Sequence, residues 1–156
     1  MTTTATTAKT TGRQTAGRQT VGNLLEAARA RLERLEPAAA AAAQRDGALV
    51  VDTRCAELRR ATGVIPGSVH VPLSVLFWRL DETSGYADSR LADRSRQVVL
   101  VCADGYSSSL AAATLLDLGF PRATDLVGGF GAWAAAGLPV EPAPSRHGRT
   151  AGAAGR

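Results

Sequence analysis

Cysteine is scarce in this chain: Cys55 and Cys102 are the only two among 156 residues. That excludes a disulfide-stapled fold and a four-cysteine zinc site. Histidine is equally scarce, and His70 and His147 have no partners at ligand spacing, so no metal site is expected. Aromatic residues make up 4% of the chain. Phe77, Trp78, Phe130 and Trp133 fall in stretches of helical character, where such rings usually anchor a core. No apolar run approaches the ~20 residues needed to cross a bilayer, which excludes an integral helical membrane protein.

Lysine is nearly absent, and arginine supplies almost all the positive charge in a chain of net charge +4 and pI near 9.8. An excess of base suggests a polyanionic partner, but its distribution argues otherwise. Lys9, Arg13 and Arg18 lie in an acid-free stretch at 1–20, and Arg146, Arg149 and Arg156 lie in another at 142–156. Between them, 21–141 holds 12 basic and 14 acidic residues, a net of −2. A nucleic-acid-binding domain concentrates its base on one folded face, so no specific nucleic-acid partner is expected. Residues 1–20, rich in Thr, Ala, Gly, Gln and Arg without apolar periodicity, read as a disordered tail with no secretory core. The Pro/Gly/Ala/Arg-rich 141–156 reads as a second tail. The Arg, Ala and Gly bias is that of a GC-rich bacterial genome, and the expected location is cytoplasmic.

Between the tails, 21–140 reads as one domain. Leu24, Leu25, Ala28, Leu32 and Leu35 recur at helical spacing. Pro37 then opens an alanine-rich helix that Gly47 stops. Short runs rich in β-branched residues follow at Ala48–Asp52, Val69–Val71, Val98–Val101 and Thr124–Val127, separated by helical stretches at Ser74–Leu80, Ser108–Leu118 and Phe130–Ala136. Continuous apolar runs suit strands buried on both faces. Alternation with helices predicts an α/β fold, a doubly wound, mainly parallel sheet flanked by helices. Function in such sheets gathers at the carboxyl ends of the strands, where Asp52 and Cys102 fall.

The segment Val101-Cys102-Ala103-Asp104-Gly105-Tyr106-Ser107-Ser108 carries the most chemistry. A strand delivers a cysteine into a short loop, and a helix follows at once. Gly105 permits an unusual backbone conformation, and Ser107 or Ser108 can cap the helix. If the loop curls around its first residue, its amides form an anion-binding nest reinforced by the helix dipole. A thiolate there becomes a competent nucleophile. The plainer alternative is a small buried residue ending a strand.

From about Gly47 to Val140 the chain resembles a single rhodanese (sulfurtransferase) domain. Asp52-Thr53-Arg54 is similar to the family's Asp-x-Arg signature, and Gly63-Val64-Ile65-Pro66-Gly67-Ser68 to its Gly-His-Ile-x-Gly-Ala stretch. Cys102 to Ser107 resembles its active loop. Gly128-Gly129-Phe130, Trp133 and Gly137-Leu138-Pro139-Val140 resemble its C-terminal signature. The resemblance implies a cofactor-free enzyme in which Cys102 takes a sulfane sulfur from a small donor, thiosulfate or a persulfide, and passes it to a thiol or cyanide-like acceptor. Ala103, Asp104, Gly105, Tyr106 and Ser107 would supply the amide cradle, with Ser107 and Ser108 as supporting donors. Asp52 would tether the loop from the next strand with Arg54 as its partner, although such a buried pair can be purely structural.

The chain departs from the family pattern at Val64, at Ala103 and Asp104, where some thiosulfate-using members carry base, and at Ser107, where many carry Arg. An acid at 104 is expected to repel dianions and raise the thiol. Arg60 and Arg79 are candidates for the missing positive charge. A cysteine phosphatase would need Cys-x5-Arg, and position 108 is Ser. A non-catalytic sulfur carrier or partner-binding module is the remaining alternative. Cys55, expected at a strand end, is either an inert thiol or a resolving partner for Cys102. Tyr106 is placed to shape acceptor choice. Oligomeric state is not legible in the chain.

Overall fold

The computed structural model describes residues 17–145; the remaining parts of the expected tails lie outside the described residues. The first helix, α1 (Val21–Arg29), opens on a reciprocal cap: Thr20 Oγ1 accepts from the Asn23 amide while Asn23 Oδ1 accepts from the Thr20 amide. The leucine spacing continues to Leu35, but the helix stops at Arg29. Beyond it Leu32 packs into the core, and Leu35 makes a parallel bridge with Leu126. Tertiary pairing overrides the helical pattern there. Pro37 is the first residue of α2 (Pro37–Arg45), and Gly47, at φ +99°, follows it.

Four parallel strands form the sheet: β1 (Leu49–Asp52), β2 (Val69–His70), β3 (Val98–Val101) and β4 (Ala123–Asp125), in the order β2-β1-β3-β4. The central strands alternate between two cores. On one face Leu49, Val51, Val98 and Leu100 pack with Leu76 and Leu80 of α4 (Leu76–Leu80) and with Ala111, Ala112 and Leu115 of α5 (Ser107–Asp117). On the other, Val50, Val99 and Val101 meet Ala40 and Ala41 of α2 and Phe130 and Trp133 of α6 (Gly129–Ala135). Two covered faces explain the uninterrupted apolar runs and give the doubly wound arrangement.

One helix was not anticipated: α3 (Ala56–Thr62), with the exposed Cys55 as its N-cap rather than at a strand end. Phe130 and Trp133 are core residues as expected, but Trp78 is 52% exposed. Beyond α6, Glu141 forms an antiparallel bridge with Val64, so residue 141 pairs with the folded part. Among the described residues no helix is long and apolar enough to cross a membrane.

Leu115 is fully buried between α5 and the sheet. Leu115→Ala should lower unfolding free energy in urea by about 3 kcal/mol, whereas Leu24→Ala on exposed α1 should cost well under about 1.5 kcal/mol.

Candidate active site

Asp52 ends β1, Asp125 ends β4 and Cys102 directly follows β3, so three polar residues stand at the carboxyl edge of the sheet. The loop Cys102–Ser107 runs straight into α5. Its shape is enforced from below. Gly105 has φ +77°, and a Cβ there would stand 2.7 Å from the Gly128 nitrogen. Gly129, at φ +61°, would place a Cβ 2.6 Å from the Cys102 carbonyl oxygen. The turn is this close because Phe130 N–H donates to the Cys102 carbonyl at 2.8 Å and Gly131 N–H to that of Ala103 at 3.0 Å. These two bonds to α6 fix the peptides that follow Cys102 and Ala103. Gly105 N–H donates to Cys102 Sγ at 3.1 Å. Among the described residues, the amides of Ala103, Asp104, Tyr106 and Ser107 donate to no protein acceptor.

Cys102 is 7% exposed. The thiol donates to Ser108 Oγ at 3.2 Å, and that hydroxyl donates to Asp125 Oδ2 at 2.9 Å. Burial pushes the Cys102 thiol up, but hydrogen bonds from the Ser108 hydroxyl and amide, the Ser107 hydroxyl and the Gly105 amide outweigh it, and the net direction is down. Asp104 is exposed and does not contribute to the shift. The expected rise from its charge gives way to hydrogen bonding at shorter range. The serines do not cap α5, whose N-cap is Tyr106 with no side-chain cap bond. Their hydroxyls turn instead to the sulfur and to Asp125.

Asp125 is wholly buried and was not singled out from the sequence. It accepts from Ser108, from Ser109 Oγ at 2.8 Å, and from Arg34 through Nε at 2.8 Å and Nη2 at 3.1 Å. Arg34 Nη2 also reaches the Gly105 carbonyl at 3.2 Å, where Arg29 Nη2 donates at 2.8 Å. The arginines at the loop are therefore Arg29 and Arg34. Arg60 pairs with exposed Glu57, and Arg79 reaches Tyr86 and Asp88. Tyr106 is exposed, with the Arg29 guanidinium 5.5 Å from its ring centre.

Asp52 and Arg54 occupy a separate cluster. The Asp52 carboxylate accepts from Arg54 Nε, Nη2 and amide and from Arg59 Nε, all within 3.0 Å. Arg54 continues to Thr62 Oγ1 and the Gly63 carbonyl, and stacks 3.7 Å from the Phe130 ring centre. Asp52 thus binds the end of β1 to α3 and makes no hydrogen bond to the cysteine loop. The carboxylate that ties the loop down is Asp125, on the other neighbouring strand. His70 Nε2 lies 2.8 Å from the Arg54 carbonyl. Both cysteines are free thiols.

The Rhodanese-like domain family matches residues 36–136. The chain belongs to the rhodanese family of sulfurtransferases. It is 34% identical to a sulfurtransferase of Allochromatium vinosum over 99 residues, 63% of this chain and 82% of that one. It is 36% identical to thiosulfate sulfurtransferase GlpE of Pseudomonas savastanoi pv. phaseolicola over 103 residues, 66% of this chain and 88% of that one. Among solved structures, a Rhodopseudomonas palustris protein of unknown function, described as a possible tyrosine phosphatase, superposes with TM-score 0.74 at 34% identity. The match covers 82% of this chain and 98% of that one. A thiosulfate sulfurtransferase from Pseudomonas aeruginosa gives TM-score 0.53 at 27% identity, covering 70% of this rhodanese-family chain and 19% of that one.

A lowered thiol has a defined pH signature. The folded state favours the thiolate, so this group's contribution to stability is fully present above the free-cysteine value and disappears as pH falls through the lowered midpoint. With Cys55→Ser as background, iodoacetamide should alkylate Cys102 with a midpoint below the ~8.5 of free cysteine. Gly105→Ala should raise that midpoint by displacing the amide from the sulfur. A wild-type midpoint at or above the free value would count against the cradle.

Proposed function

We propose that this rhodanese-family chain moves a sulfane sulfur from a small donor to a thiophilic acceptor through a persulfide on Cys102. The observation that carries the proposal is the sulfur's position: Cys102 Sγ lies in the loop before α5, accepting from the Gly105 amide and donating to the Ser108 hydroxyl, with further loop amides free of acceptors among the described residues. The thiolate attacks the donor's outer sulfur. A bond forms between that sulfur and Cys102 Sγ as the donor's own S–S bond breaks, and the leaving group departs with the electron pair, as sulfite from thiosulfate or as a thiolate from a persulfide. An acceptor nucleophile then attacks the outer sulfur and releases the Cys102 thiolate, so no external oxidant or reductant is needed. The terminal sulfur of the intermediate carries negative charge, which the amides of Ala103, Asp104, Gly105, Tyr106 and Ser107 would meet without reorganisation.

Ser107 and Ser108 act as supporting hydroxyl donors in this scheme, while Asp52 and Arg54 hold the neighbouring strand end. Support for the substrate class comes from the names of the bacterial relatives. A phosphatase reading lacks its essential group, because Ser108 stands where Cys-x5-Arg requires a guanidinium. The alternative within the family is a module that carries sulfur, or binds a partner, without turnover.

Intact-mass analysis after incubation with thiosulfate, or with a low-molecular-weight persulfide, should show addition of one sulfur atom at Cys102. Cyanide should then remove it as thiocyanate, and Cys102→Ser should abolish both steps. Sulfur that loads but is not released by acceptors would favour the carrier alternative. No loading from any of these donors would overturn the proposal.

A further inference from the structure

We infer that the segment from α1 to Leu35 is a working part of this site, with Arg34 and Asp125 as positioning residues that set the Ser108 hydroxyl and the peptide after Gly105 against Cys102. The inference rests on the reading of Cys102 as the reacting thiol. The family match begins at residue 36, so both loop-facing arginines lie upstream of it. They nevertheless reach the loop itself and the buried carboxylate beneath it.

Ser108 has a single hydroxyl hydrogen. While Cys102 is a thiol, that hydrogen goes to Asp125 and the serine oxygen accepts from sulfur. On ionisation the thiol gives its proton to water, and the sulfur can only accept. Ser108 must then turn its hydrogen to the sulfur, and Asp125 loses one bond. Asp125 can release it because Ser109 and both Arg34 nitrogens remain. A buried carboxylate without that guanidinium would keep the serine's hydrogen.

The second route runs through the backbone. The Gly105 carbonyl shares a planar trans peptide with the Tyr106 amide, and the two groups point in opposite directions. Arg29 and Arg34, gripping that oxygen, fix the direction of the Tyr106 N–H and polarise it. The charged groups around the loop are Arg29 and Arg34 from the N-terminal segment, Asp125 from β4, Asp104 within the loop, and the Asp52–Arg54–Arg59 cluster beyond Phe130.

The test is the pH dependence of Cys102 alkylation in the full chain carrying Cys55→Ser, with melting temperature measured alongside. Arg34→Gln leaves Asp125 uncompensated and should raise the thiol midpoint by about one unit, a roughly tenfold loss of thiolate at neutral pH. Asp125→Asn removes the competing charge and should lower the midpoint. Structural loosening alone would move both variants the same way, toward free cysteine, and that outcome would overturn the inference. So would an Arg34→Gln midpoint equal to wild type. If Asp125→Asn does not fold, Arg34→Lys decides, since it keeps the charge and loses the fork. Its midpoint should fall between wild type and Arg34→Gln, and a value no lower than that of Arg34→Gln would overturn the inference. No donor enters these measurements. A wild type that fails to load sulfur would therefore defeat the proposed function while leaving the titrations readable.

Discussion

The cysteine loop depends on its carbonyls at 102, 103 and 105 being held by groups outside it while the Gly105 amide turns to the Cys102 sulfur. Backbone groups are obligatory hydrogen-bonding partners, so those carbonyls need donors. Phe130 and Gly131 amides take two of those carbonyls from below, and Arg29 and Arg34 take the third from the side. The glycines at 105 and 129 follow from the same requirement. Only residues without Cβ allow two backbone turns to stand this close.

The arginine bias of the chain finds a structural use here. Two buried carboxylates, Asp52 and Asp125, end neighbouring strands on either side of β3, and each is held by guanidinium groups. A planar fork satisfies both carboxylate oxygens and still has donors left for carbonyls such as those of Gly63 and Gly105. Lysine has no such fork. Buried pairs of this kind add little net stability against their desolvation cost. What they provide is position: one ties β1 to α3, the other ties β4 and the N-terminal segment to the cysteine loop.

The fold was legible because its signals are local. Runs such as Leu49–Val51 and Val98–Val101 show a buried parallel sheet, and Pro37 and Gly47 bracket α2. Cys102, Gly105 and the Gly128-Gly129 pair could be read from their order alone. Asp125 is harder to read, because it interrupts an apolar run and its partner Arg34 is 91 residues away. Its one signal is an acid ending a strand, the same as that of Asp52. The helix α3 was missed because Ala56–Thr62 is short, with Glu57, Arg59 and Arg60 breaking any apolar stripe. Helical spacing runs past the end of α1 at Arg29 because it carries no record of the bridge that claims Leu35.

The placement of positive charge behind the loop has a consequence for selectivity. A cation within the loop would touch the donor's anionic group and favour that group directly. Here the guanidinium groups lie on the far side of the Gly105 carbonyl and against Asp125, and a hydrogen-bonded route from Arg34 to the sulfur runs through Asp125 and the Ser108 hydroxyl. On the proposed function, ionisation of Cys102 and recognition of the donor would thereby be separated. The first would rest on the buried Ser108 and Asp125 and on the half-buried Arg29 and Arg34. On the same proposal the second would fall to the loop's own amides and to Tyr106 and Asp104, both exposed.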